Sequence, residues 1–421
     1  MNHFDYRNGV LHAEGVEIPD IAKQVGTPFY CYSTATLTRH FHVFRQAFAG
    51  LDALVCYAMK ANSNQAVLKT LARQGAGATW CRKANCAAVW PPASRPARSC
   101  FRASARPRAR WISRLPPASS ASTSNPSRSW NCSRRAPWPS ARLPLFRCAS
   151  IRMSTPRPTR RSRPARRRTS SASRGSARQV YARAAELPGI KVTGIDTHIG
   201  SQITELQPFD DAFALLVDLV GTLRADGHAI EHIDLGGGLG IPYRVDNSPP
   251  PLPDAYAEIV RKHVTKLGLK VMFEPGRLIV GNAGILVSEV IYVKEGDAKN
   301  FLVVDAAMND LIRPTLYDAF HDIKPVVQPP AATPRMKVDI VGPVCETGDF
   351  LGLDRDLPRL KTGDLIAVAT AGAYGAVQAG TYNTRLLVPE VLVDGDRFHV
   401  VRPRQTYEEL IGLDSIPDWL K

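Results

Sequence analysis

Several short motifs carry residue types that can do chemistry. "YAMKAN" sets Lys60 at the end of an apolar run. An amine partly withdrawn from water there can give up its proton and attack a carbonyl carbon. "HIGSQ" sets His198 and Ser201 at the end of another run, and "DLGGGLG" supplies Gly236, Gly237 and Gly238 where a strand would hand over to a loop and helix. Backbone N–H groups left open by such a glycine turn can cradle a phosphate. "EPGR" brings Glu274, Gly276 and Arg277 together, the last a guanidinium able to hold a carboxylate bidentately. Further along stand Arg313 and Tyr317 in "MNDLIRPTLY", Cys345 and Glu346 in "GPVCETGD", and Tyr374 in "AGAYG". Singly, each has a plain reading: a solvated lysine, a core histidine, a tight turn, a surface carboxylate, an inert buried thiol. Together, the barrel-half motifs repeat one arrangement, reactive groups at the ends of apolar strands.

The elements that must position them alternate. "TATLTRHFHVFRQAFAG" has apolar residues at helical spacing, a start at Ser33 or Thr34 and a stop at Gly50. "ALVCYAMKAN" reads as a buried strand and "NQAVLKTLARQGAG" as the next helix. After Arg178 the grammar resumes with "VYARAAELPG", "KVTGIDTHIGSQ", "FDDAFALLVDLVGTLRADG", "IEHIDLGGGLGI", "PDAYAEIVRKHVTKLG" and "LKVMFEPGRLIVG". From about Ala283 strands dominate. The expected class is α/β, a (β/α)8 TIM-type barrel followed by a C-terminal β-sandwich or β-barrel domain. The expected boundaries are 1–34 for N-terminal strands packing with the β domain, 35–282 for the barrel and 283–421 for the β domain.

These motifs, in this order, resemble the fold-type III pyridoxal-phosphate decarboxylases, most closely those acting on diaminopimelate. The resemblance covers residues 1–78 and 177–421 directly. It implies pyridoxal 5'-phosphate as cofactor, with Lys60 bonded to its aldehyde, His198 stacked on its ring, and Ser201, Gly236, Gly237, Gly238 and Gly276 around its phosphate. Glu274 would keep the pyridine nitrogen protonated, so that the ring can accept the electrons left when CO2 departs. Arg277, Arg313, Tyr317, Glu346 and Tyr374 would meet the substrate, Arg277 and Tyr374 meeting the cofactor as well, and Cys345, inserted by a partner subunit, would donate a proton. The family pattern has serine where Thr347 stands. The implied reaction is decarboxylation of meso-2,6-diaminopimelate to L-lysine, the last step of lysine biosynthesis, in a homodimer with active sites at the interface. A sister enzyme acting on ornithine, arginine or carboxynorspermidine is the alternative. Ornithine and arginine need an acidic distal pocket without a carboxylate-binding arginine, which favours the first reading over those two.

One block breaks the pattern. No Asp or Glu occurs between Asp52 and Glu186, and residues 79–178 hold 23 Arg plus Lys83. The formal charge is +16, so removing that +24 leaves the rest of the chain at −8. The block also holds five of the eight Cys and five of the six Trp, unlike a disordered arm. Its cysteines (Cys81, Cys86, Cys100, Cys132, Cys148) lack metal-ligand spacing, and no metal is expected. No 3.6 or 2.0 apolar period survives between 79 and 176.

Reading the same bases one position out of register restores sense. With suitable synonymous codons, Ala78–Cys86 becomes "DVVSEGEL", Ala97–Arg106 "KIVFSGVGK", Arg147–Met153 "LRINPD" and Arg168–Gly175 "NKFGIPW", all at one offset. The expectation is a frame-shifted segment at about 79–176 that corrupts barrel strands 2–5 and leaves the activity of the chain as written in doubt. The contrary reading is a non-enzymatic, Arg-rich nucleic-acid binder, against which stands the lack of aromatic residues alternating with the basic ones. The N-terminus has no apolar signal core and no run is long enough to span a membrane. A cytoplasmic protein acting on a small amino acid, without nucleic-acid or membrane partners, is expected.

Overall fold

The computed structural model describes residues 2–80, 99–101, 174–187, 191–244 and 249–420. Six parallel strands form one sheet in the order Ser99–Phe101, Gly77–Trp80, Ala53–Ala58, Lys270–Phe273, His232–Asp234, Gly194–Asp196. The first strand of the series, Ala53–Ala58, pairs directly with the last, Lys270–Phe273, in the register Val271 to Ala53 and Phe273 to Val55. First-to-last pairing is the connectivity of a sheet closing on itself, not of an open doubly wound sheet. Residues 102–173, between the third of these strands and the Arg174–Glu186 helix, lie outside the described residues.

The expected corruption of strands 2–5 falls mostly on those same undescribed residues. The second strand, however, takes its place beside the first, and a three-residue third beside the second. The third lies where the alternative register reads the apolar "IVF". Strand pairing is made by backbone groups, so a short stretch can hold that place whichever side chains it carries.

Helices cover the strands because their sequences start and stop cleanly. Ser33 Oγ accepts a hydrogen bond from the Thr36 amide at 3.0 Å and opens the Thr34–Ala47 helix. Asn64 does the same for Gln65–Arg73 through the Ala66 amide, also at 3.0 Å. Under the helices Phe44, Phe48, Phe209, Phe213, Tyr256 and Phe273 form an aromatic nucleus, with Phe48 and Phe273 ring centres 4.0 Å apart. The strand read as ending in Lys60 stops at Ala58, and "KVTGIDTHIGSQ" contributes only Gly194–Asp196. The residues that follow each are turns at the sheet's C-terminal edge, where reactive groups gain access to a ligand.

The strand-rich half is organised by one long strand, Gly284–Lys294. Its first part pairs with Phe29–Ser33, its middle with Leu365–Val368 and its last part with Phe301–Val304, all antiparallel. Phe29–Ser33 also pairs in parallel with Glu390–Asp394, so an N-terminal strand is built into the C-terminal sheet. A second core, including Phe4, Leu11, Ile21, Phe29, Ile285 and Val391, seals the N-terminal hairpin onto that sheet.

Candidate active site

Lys60 sits in a turn two residues past its strand, and that turn is tied on several sides. Ala61 N donates to Ala58 O at 3.0 Å, and Tyr57 Oη donates to Asn62 O at 2.9 Å. Asn62 reaches Gly372 O at 3.2 Å and accepts from the Asn64 amide at 3.0 Å. Ala58 N donates to Pro275 O at 3.0 Å, and Tyr374 N donates to Ala61 O at 2.8 Å. The turn is thereby fixed to the EPGR loop and to the AGAYG loop of the other half. Lys60 itself is exposed at the cleft wall, more open to water than its sequence context suggests.

The glycine run curls beneath it. Gly236 and Gly238 have φ of +68° and +115°, conformations that side chains rarely adopt. A Cβ on Gly236 would lie 2.5 Å from Thr197 O, and one on Gly238 2.7 Å from Gly200 O. A Cβ on Gly237 would overlap the Glu274 carbonyl oxygen. The Gly237 amide donates to His198 Nδ1 at 3.3 Å and Glu274 N donates to Gly236 O at 2.6 Å, so run, histidine and glutamate are one bonded unit. Gly237→Ala is accordingly expected to cost about 1–3 kcal/mol through overpacking and to loosen the cleft. A thermal melt lowered by several degrees, with weakened cofactor retention in absorbance titration, is the check.

Lys60, His198, Ser201, Gly236, Gly237, Gly238, Glu274, Gly276, Arg277 and Tyr374 all line one cleft. His198 and Glu274 are buried and Ser201 is exposed. Tyr374 holds φ +58° and its hydroxyl is pushed above the usual phenol range by burial. Arg277 Nη2 donates to Ser201 Oγ at 3.3 Å, and its guanidinium lies 4.9 Å from the Tyr374 ring centre.

A family model for "Pyridoxal-dependent decarboxylase, C-terminal sheet domain" matches residues 29–372. The chain belongs to the pyridoxal-dependent decarboxylases. Diaminopimelate decarboxylase of Pseudomonas aeruginosa is 42% identical over 421 residues, covering 99% of each chain. That of Vibrio cholerae is 40% identical, again over 99% of each. The Helicobacter pylori diaminopimelate decarboxylase crystallised with L-lysine superposes with a TM-score of 0.75 at 26% identity, over 94% of this chain and 98% of the other.

The residues of this decarboxylase fit pyridoxal phosphate. A cradle of glycines in which added Cβ atoms would clash, a lysine on one wall and a buried glutamate on another meet the needs of a phosphate, an aldehyde and a pyridinium. Not every expected residue reaches the cleft. Arg313 is buried beside it, linked to Arg277 through Tyr243, a residue that sequence reading missed. Its signal was slight, a tyrosine three residues past the glycine-rich turn. Tyr317 and Cys345 are exposed and lie outside the cleft lining, and Glu346 accepts from Tyr382 Oη at 3.4 Å. Among the described residues no group of three or more His, Cys, Asp or Glu could hold a metal ion, and no helix is long and apolar enough to cross a membrane.

Proposed function

We infer that this decarboxylase acts on meso-2,6-diaminopimelate, releasing CO2 and L-lysine. The observation that carries the substrate assignment is the pair of guanidinium groups, Arg277 in the cleft wall and Arg313 buried beside it. Neither has a carboxylate within ion-pair distance among the described residues, and Arg277 Nε is buried without a hydrogen-bond partner. Two cations without an acid suit a substrate that keeps a carboxylate at the end remote from reaction, which ornithine and arginine do not.

Pyridoxal phosphate, when bound, supplies the electron sink for the pair left behind by CO2. Lys60 is the amine that would hold it covalently, and the buried Glu274 is the carboxylate that would keep its ring nitrogen protonated. His198, oriented by the Gly237 amide, would support the ring face, and the glycine run and Ser201 would hold the phosphate. A second copy of this chain would supply Cys345 as proton donor and Glu346 toward the substrate ammonium. Their exposure, beside exposed Leu316, Tyr317 and Tyr382, supports that reading. Purified full-length protein with residues 79–176 restored to the alternative register, given diaminopimelate, ornithine, arginine or carboxynorspermidine, should release CO2 from the first alone. Release from ornithine or arginine instead would overturn the assignment.

The Arg-rich segment is read as the same gene one base out of register between about 79 and 176. The relatives support this, because their alignments cover 99% of both chains. The segment therefore stands in place of barrel sequence and is not added to it, as an extra nucleic-acid-binding arm would be. Sequencing the DNA from codon 75 to codon 180 decides the point.

A further inference from the structure

Tyr243 lies on the loop that follows the glycine run and is half-buried. Its hydroxyl oxygen accepts hydrogen bonds from Nη1 of Arg277 and, at 2.8 Å, from Nη1 of Arg313. Both guanidinium carbons also stand near its ring, 5.7 Å and 5.0 Å from the centre. The far edge of the ring is braced by fully buried His321, packed nearly perpendicular at 5.3 Å. His321 is anchored in turn through Nδ1 to Ala369 O at 2.9 Å. Burial first, and the cations Arg313, Arg277 and Arg355 after it, push the His321 imidazole down to about 3, so it stays neutral and adds no further charge.

The arrangement has a specific electrostatic content. Arg277 comes from the turn after the last barrel strand and Arg313 from the strand-rich half, so nothing local holds them side by side. Like charges at this separation repel. A phenol oxygen has two lone pairs, and here each faces one cation, while the ring face adds attraction to both. The phenolic proton is left to donate outward. Arg277 Nε is also buried, with no protein acceptor among the described residues.

We propose that Tyr243 is a positioning residue that clamps Arg277 and Arg313 into a paired grip for the remote carboxylate of the substrate, and so sets selectivity for ligands that carry one. The proposal rests on the diaminopimelate reading, yet its core, a carboxylate grip, can be measured without turnover. Tyr243→Phe keeps the ring, its packing on His321 and its face toward the cations, and removes only the oxygen.

The test uses full-length, cofactor-loaded protein expressed from the gene with the register of residues 79–176 verified or restored. In Tyr243→Phe, KM for diaminopimelate should rise roughly ten- to a hundredfold, the range for hydrogen bonds to charged groups, with kcat changed much less. Binding of pimelate, a dicarboxylate of the same length without amines, should weaken by a similar factor in calorimetry. Cofactor absorbance should match the wild type, and the thermal midpoint should fall by no more than several degrees, the cost of the lost acceptor. Tyr243→Phe combined with Arg313→Lys should be little worse than Arg313→Lys alone, because the two changes remove one device. The proposal falls if the wild type does not bind pimelate, if pimelate affinity in Tyr243→Phe stays within about twofold of wild type, or if kcat drops while KM holds. Absence of CO2 release from diaminopimelate by the wild type would sink the substrate reading instead, with the pimelate measurement still deciding the role of Tyr243.

Discussion

In the chain with residues 79–176 restored to the alternative register, Lys60→Ala should lower CO2 release from diaminopimelate by at least about a thousandfold, equivalent to roughly 4 kcal/mol of barrier. The turn that carries Lys60 is bound to Pro275, Gly372 and Tyr374 through hydrogen bonds of 2.8–3.2 Å. Removing an exposed side chain from so braced a backbone should leave the fold intact, so the loss reports chemistry. The glycine cradle, His198 and Glu274 remain in the variant, and the cofactor should still bind without a covalent link. Borohydride reduction followed by mass spectrometry separates the two forms, since only the wild type should retain the mass of one cofactor. Turnover within tenfold of wild type would remove Lys60 from the mechanism.

The second large effect concerns residues 79–176. With that segment restored to the alternative register, the chain should melt cooperatively, bind pyridoxal phosphate and turn over substrate. The chain carrying the segment as printed should show none of these. Six barrel strands are described, and the outermost, Ser99–Phe101 and Gly194–Asp196, need two further strands to satisfy the backbone groups of their free edges. Residues 102–173 as printed offer no strand period and bring a dense set of arginines, whose burial in a barrel wall without partners is costly. The restored register supplies apolar runs and acids at the places where a barrel needs them. Equal melting and cofactor binding by both versions would show the Arg-rich segment to be competent barrel sequence.

Much of the cleft was legible from local pattern. Ser33 caps its helix because its hydroxyl meets an amide three residues on, an interaction visible in any window of the chain. Gly236, Gly237 and Gly238 announce a turn of unusual backbone conformation, and a reactive group after an apolar run announces a strand end. These are short-range relations, fixed by period and by residue type. The position of Lys60 two residues beyond its strand was less legible, because strand ends are set by which partners remain available.

The sequence alone determined the residue set, the βα alternation and the glycine cradle, since each is written in neighbours a few residues apart. Only the tertiary structure decided that Arg313 from the strand-rich half meets Arg277 across Tyr243, and that Tyr317 and Cys345 stay outside the cleft of their own chain. Only the fold showed that the first barrel strand pairs with the last. The reason is physical: such contacts join groups tens to hundreds of residues apart, and it is the closing sheet and the packing of one half on the other that select them, with no local period to mark them in advance.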